Sequence, residues 1–192
     1  MAQKYLNGFA DLGYFKILTD DTSLYATDTV SGRKSMTGAR SCNKTDNKQT
    51  ANIPADDNPA WDTLSDWQAT TLTIVMRFVT IEQLAFLSGA TMNTSNTGFE
   101  EGTYDAAPFV ALNFRAAIAA GGFRLFRYYR AKLTSAEVNH QTKGESTDPQ
   151  DYTLTFECSA RAVDNKVRGV EEVADLAAAN LWLATIPQQS AA

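Results

Sequence analysis

Apolar and polar residues alternate with a period of two along two long stretches in the last third of the chain. In residues 123–133, Phe123, Leu125, Tyr129, Ala131 and Leu133 share one phase. In residues 152–161, Tyr152, Leu154, Phe156, Cys158 and Ala160 do the same. Alternation of this length predicts strands with one face in a core and the other open to solvent or a partner. Leu72, Ile74, Met76 and Phe78 mark another strand over 72–79, and residues 109–118 one more. Shorter β-rich runs at 14–19 and 24–30 flank Asp20-Asp21-Thr22-Ser23, a hairpin turn by composition. Residues 34–43 alternate more weakly and read as an extended edge segment.

Thr80 and Gln83 stand at capping-box spacing and open a short helix over Ile81–Ser88, which Gly89 closes. A second helix is expected at about 171–185. Val173, Leu176, Ala177, Leu181 and Ala184 would share its face, Glu171, Glu172 and Asp175 would sit near its positive end, and Pro187 would stop it. Gly121-Gly122 and Asp164-Asn165 read as tight turns. Two polar stretches break the pattern. One, 91–107, carries Gly98 and Gly102 and reads as a loop. The other, 44–69, is rich in Asp, Asn, Thr and Ser and holds Pro54, Pro59, Trp61 and Trp67. It is too long for an ordinary connection, so it is either disordered or functional. The sum is a mainly β fold: an antiparallel β-sandwich or partial barrel with one short helix and a C-terminal helix. We read one domain over 1–187, with 44–69 as a long arm and 188–192 as a flexible tail.

A chain of 192 residues, 44% of them hydrophobic, can bury one sizeable core. Its 17 basic and 22 acidic residues leave a net charge of −5, which argues against a protein that grips nucleic acid through phosphates. The most apolar helix candidate, 173–186, is shorter than the ~20 residues of a membrane span. The opening MAQKYLNGFADLG has neither the basic start nor the apolar centre of a signal peptide. Accumulation in the cytoplasm is expected.

No catalytic set or cofactor site is legible. The single histidine, His140, has no nucleophile and orienting partner in any known spacing. Neither Cys42 nor Cys158 has a further cysteine or histidine at metal-ligand spacing, and Cys158 sits in the apolar phase of a strand. Gly121-Gly122 precedes a strand, not a helix, so it is a turn and not a phosphate loop. Asp56-Asp57 lacks the further acids of a calcium loop and reads as a turn or subunit contact. Arg124, Arg127, Arg130 and Lys132 interleave with Phe126, Tyr128 and Tyr129. Single-strand binders use such surfaces, but a mixed sheet surface against a neighbouring element or subunit fits the acidic chain better. Trp61 and Trp67 are costly to leave in water, and a subunit contact is expected for them ahead of intramolecular packing.

Lys143, Glu145, Ser146, Pro149 and Gln150, followed by the Thr-Leu-Thr-Phe strand, resemble the late block of the major tail proteins of long-tailed, siphovirus-type bacteriophages. Ala55-Asp56-Asp57 is similar to that family's ADD signature, and a strand over 72–79 and a short helix ending at Gly89 follow it at the family's distance. The resemblance runs from about Gly8 to the C-terminus. It implies a structural virion protein, not an enzyme, which builds hexameric rings that stack head-to-tail into a tail tube. The genome passes through the lumen without specific binding, and the long loop reaches an adjacent ring or subunit. Tail-tip, tape-measure and tail-terminator proteins are the other implied partners, and assembly takes place in the host cytoplasm.

Within that expectation Asp56, Asp57, Trp61 and Trp67 are candidate interface residues. A DNA conduit should avoid a cationic lining, so Thr153, Thr155, Glu157 and Ser159 are candidate lumen residues, with the arginine-rich phase of 123–133 facing away. Two other readings are open: a ring component of a contractile secretion system, and a non-catalytic adhesive or carbohydrate-binding β-sandwich.

Overall fold

The computed structural model describes residues 5–55, 58–138, 140, 142 and 150–190, and within these the side chains of 54–63 lie outside the description. The chain begins with β1 (Leu6–Asp20), β2 (Leu24–Thr27) and the short β3 (Lys34–Ser35). Two long strands follow, β4 (Ala39–Ala55) and β5 (Asn58–Met76), and then α1 (Ile81–Ser88). A small hairpin of β6 (Thr91–Met92) and β7 (Phe99–Glu100) precedes β8 (Phe109–Ile118), β9 (Phe123–Val138) and β10 (Tyr152–Ser159). The chain closes with β11 (Arg168–Val173), α2 (Leu176–Ala184) and β12 (Gln189–Ser190). This is the mainly β, antiparallel fold that the alternation predicts.

The principal sheet runs β12-β2-β1-β8-β9-β10-β5-β4, with β11 continuing along β9 beyond β10 and β3 beside β1. It curls until β4 comes within 8 Å of β1, Cα to Cα, with no ladder between them among the described residues. The result is a partial barrel. Its interior holds Leu12 and Tyr14 of β1, Leu112 and Phe114 of β8, Leu72, Ile74 and Met76 of β5, and Leu154, Phe156 and Cys158 of β10. Burying a large apolar side chain of this kind contributes roughly 1.5–3 kcal/mol, so this interior is the main source of stability. Helix α1 plugs one end. Thr80 and Gln83 form the capping box, Gly89 closes the helix at φ +84°, Leu87 is buried, and Phe86 stacks on Tyr14 at 5.5 Å.

Strand β9 departs from the single phase that its sequence suggests. Val110 pairs with Ala131 but Leu112 with Tyr128, so the register shifts between them. An inserted residue flips the phase. Phe126 and Tyr128 therefore face the interior before the bulge, and Ala131 and Leu133 after it. Leu125, Arg127 and Tyr129 face the opposite side, where Tyr129 packs with Phe15, Tyr25, Ala111 and Ile186 in a second, smaller core.

Helix α2 covers that side, and it starts later than its apolar spacing suggests. Residues 171–173 belong to β11, paired with β9, and Asp175 is the N-cap, accepting a 2.7 Å hydrogen bond from the Ala178 amide. Glu171 and Glu172 serve as anchors, not dipole partners. Trp182 Nε1 donates to Glu171 at 2.6 Å, and Arg124 Nη2 pairs with Glu172 at 2.5 Å. The buried face of α2 is Ala179 and Leu183, whereas Leu181 is 70% exposed. The tail is held as far as Ser190: β12 pairs with β2, and Gln188 bonds both ways with Thr27. Gly122, at φ +85°, lies so close to β11 that a Cβ there would meet the Val173 carbonyl oxygen at 2.6 Å.

Candidate assembly surfaces

The polar stretch 44–69 is not a loop. It forms most of a continuous two-stranded hairpin, in which β4 and β5 pair from Ala39↔Met76 out to Ala55↔Asn58. Period-two apolar cues are missing from its outer part, and strand pairing was not legible without them. Strand β10 pairs with β5 only from Met76 to Thr70. Beyond Thr70 the hairpin leaves the sheet, and residues 58–69 have no other strand beside them among the described residues. At about 3.3 Å per residue the arm reaches roughly 40 Å.

The base of the arm is fixed by side chains. Thr70 Oγ1 donates to Asp46 at 2.7 Å, Trp67 Nε1 donates to Thr70 at 3.3 Å, and Lys44 pairs with Asp46. The Lys44 contact and then the Thr70 hydrogen bond hold the Asp46 carboxyl below its ordinary range. Trp67 is accordingly half-buried at this base. Of the other interface candidates, Trp61 lies in β5 with its side chain outside the described residues, and Asp56 and Asp57 lie outside them altogether. Sequence reasoning missed Ile53 and Leu64, which are 41% and 54% exposed on the arm. Ala51 pairs with Leu64 and Ile53 with Asp62, so Ile53 and Leu64 share one face.

The body presents a second surface on the outer side of the sheet. Thr153, Thr155, Glu157 and Ser159 do occupy the outward phase of β10, with Leu154, Phe156 and Cys158 fully buried between them. Ladder partners share a face, so the register extends this surface into three rows across four strands. They are Thr45-Thr71-Glu157-Lys132, Asn43-Thr73-Thr155-Ser135 and Ser41-Val75-Thr153-Glu137. Seven of the twelve positions bear a hydroxyl, and the three charged ones are Glu157, Glu137 and Lys132. Helix α2 lies over β8, β9 and β11 and leaves these rows to solvent.

One expectation about this face is corrected. The cationic residues of β9 do not all face away from it, because the bulge turns Arg130 and Lys132 outward. Lys132 stands opposite Glu157, and Arg130 Nη1 donates to Ser159 Oγ at 2.9 Å. Arg130 is paired on the chain itself with Asp20 at 2.7 Å, and Lys132 stands opposite the acidic Glu157 in the ladder.

The other arginines are also engaged internally. Arg115 pairs with Asp11 at 2.5 Å, and Arg127 is buried beneath α2, donating to the Trp182 and Thr185 carbonyls and lying 3.8 Å from the Trp182 ring. Arg161 is buried against Tyr129 at 4.1 Å and forms a two-pronged pair with Asp164 at 2.6 and 2.7 Å. The aromatic-basic strand is thus an intramolecular packing device, and its guanidinium groups are spent.

Burial pushes the thiols of Cys42 and Cys158 up to about 12. Among the described residues no cluster of three or more His, Cys, Asp or Glu could hold a metal ion, and His140 is exposed.

The Arg161–Asp164 pair makes acid stability testable. The hydrogen bonds from Arg161, foremost, hold the Asp164 carboxyl below its ordinary 3.8. A carboxyl depressed in the folded state stabilises fully above the unfolded value and loses that contribution as pH falls through the folded one. Asp164→Asn should therefore lower the melting temperature at pH 7. The gap from the unaltered protein should hold down to about pH 5 and then narrow steadily as pH falls below about 4, without closing by about pH 2. Thermal melts across that range check this; a gap that stays constant would contradict it.

No protein-family model matches the chain, and no curated protein matches it. Among solved structures it is similar to a chain in the cryo-EM structure of the anti-feeding prophage baseplate, six-fold symmetrised. The identity is 6% and the TM-score 0.43, with 91% of this chain and 98% of that chain covered.

Proposed function

We propose that the protein is a structural subunit of a phage tail tube, assembling into rings that stack head-to-tail around a DNA channel. The observation that carries this reading is the free-standing arm. A two-stranded hairpin alone in water is marginally stable at best, and this one exposes Ile53 and Leu64. It needs a neighbour to lie against. A second copy of the same chain supplies that neighbour repeatedly, and repeated heterologous contacts generate rings and filaments. The resemblance of the Ala55-Asp56-Asp57 and 143–156 segments to the major tail protein family gives that assembly its purpose. In this reading the arm is the contact between copies, and Trp61, Trp67, Asp56 and Asp57 remain its proposed interface residues.

The three-row polar face is the proposed channel lining. DNA carries about one charge per 1.7 Å, and a strongly cationic wall would hold it by releasing counterions. Hydroxyls and locally matched charges offer no such grip. Concentrated protein, alone or with a tail-tip initiator, should form rings or hollow tubes under negative-stain electron microscopy.

Glu157→Lys tests the lining. It sets a second cation opposite Lys132 in the ladder and would place a positive ring in the lumen of every stacked layer. Screening acts over roughly 8 Å at physiological salt, so the effect should be largest at low salt. Tails should still assemble, but DNA ejection should slow. Unchanged ejection kinetics, or a tube map with Glu157 outside the lumen, would remove this face from the channel.

A further inference from the structure

The arm and helix α1 lie at opposite ends of the body. The arm departs at the Asp46↔Thr70 pair, whereas α1 follows the other end of β5, just after the Ala39↔Met76 pair. At the α1 end there is a cleft of about 500 Å³ between β1, the turn at 28–33, β3 and the start of α1. Gln83 bridges its floor, capping the helix and donating to the Ser35 carbonyl at 2.8 Å.

Two properties of this cleft match the arm. The first is charge. In a chain of net −5, Lys16, Arg33 and Lys34 line it, against Asp28 and Glu82. Asp28 accepts from the Val30 and Ser31 amides at 3.0 Å each. Arg33 is fixed by Asn113 and the Asp11 carbonyl, while Lys16 and Lys34 are exposed. The arm, residues 47–69, has one lysine, Lys48, against four aspartates, Asp56, Asp57, Asp62 and Asp66. The second property is apolar exposure. Val30 and Ile81, chain neighbours of the lining residues Ser31, Thr80 and Glu82, are 97% and 49% exposed. The arm offers Ile53 and Leu64 on one face, with Asp66 in the same phase.

We infer that this α1-end cleft receives the arm of the next copy of the chain, which makes it the acceptor of the head-to-tail contact. The inference rests on the tube reading. A copy displaced along the direction of the arm presents its α1 end to that arm, so donor and acceptor are different surfaces and the contact repeats without closing. Charge sets the register, and the apolar residues supply the desolvated centre.

Reciprocal charge reversal in the full-length protein tests it. One variant carries Lys16→Glu and Lys34→Glu, a second Asp62→Lys and Asp66→Lys, and a third all four. These cleft lysines and Asp66 are exposed, and melting curves should match the unaltered chain. Each one-sided variant should need at least about tenfold more protein to form sedimentable tubes, and the four-site variant should return to within about threefold. A cleft variant that assembles at the unaltered concentration overturns the inference, as does a four-site variant no better than the one-sided ones. Failure of the unaltered chain to assemble under any condition counts against the tube reading itself, and is seen before any variant is made.

Discussion

Excising residues 47–69 and joining Asp46 to Thr70 through an Asn-Gly turn should give a folded monomer that no longer assembles. The body should tolerate the loss because no buried side chain of the described residues lies in that span. Leu72, Ile74 and Met76 keep their places between β4 and β10 through ladders that begin at Thr70. Asn-Gly supplies the turn that a two-residue hairpin connection requires. The melting temperature should move by no more than roughly 4 °C, the equivalent of about 1 kcal/mol in a domain of this size. Assembly should be abolished, because the arm has no further strand on either edge among the described residues and carries the exposed Ile53 and Leu64. Size-exclusion chromatography with electron microscopy checks both halves of the expectation.

Trp61→Ala with Trp67→Ala is the milder form of this experiment. Buried interface tryptophans can each contribute more than ~2 kcal/mol, so tube formation should weaken strongly while the monomer stays folded. Trp67 touches Thr70 at the base of the arm, and a small loss of monomer stability is expected from it alone. If the pair of substitutions unfolds the monomer, these tryptophans belong to its own packing and the arm is not an assembly element.

The largest effect on the fold is expected from Phe156→Ala. Phe156 is fully buried on β10, between Leu72 of β5 and Leu133 of β9 in the ladder, and it is among the largest side chains of the interior. Removing a ring from such a site costs about 3–5 kcal/mol, because the cavity closes only in part. Domains of this kind are held together by about 5–15 kcal/mol, so the loss is a large share of the total. The melting temperature should fall by roughly 6–20 °C, and the urea midpoint should fall with it. Glu157→Gln, one residue on and facing outward, should change either quantity little. Equal sensitivity at 156 and 157 would mean that the inward and outward phases of β10 are misassigned.

That phase was readable because Tyr152, Leu154, Phe156 and Cys158 alternate without interruption. The same holds for α1, where Thr80, Gln83 and Gly89 spell out both ends of the helix. Strand β9 was harder. Its Tyr128-Tyr129 pair is apolar on both sides of the sheet, and only the register against Leu112 and Val110 reveals the bulge. The start of α2 was obscured because Glu171 and Glu172 suit a helix N-terminus locally. Their partners, Trp182 and Arg124, lie across the fold and draw them into β11. Length and tryptophans set the arm apart from an ordinary connection but do not disclose a hairpin, since its strands have no core to alternate against. The outward rows were half legible. β10 gave one strand, but the neighbours Thr71, Thr73, Asn43 and Lys132 join it only through ladders that no single segment discloses.

The central claim is self-assembly, and the most direct measurement is electron microscopy of the purified full-length protein at high concentration, with averaging of end-on views. The account predicts rings that stack into hollow tubes, with the polar face of β4, β5, β10 and β9 on the inner wall and arms reaching between layers. A strictly monomeric protein at every concentration, with and without a tail-tip initiator, would contradict it.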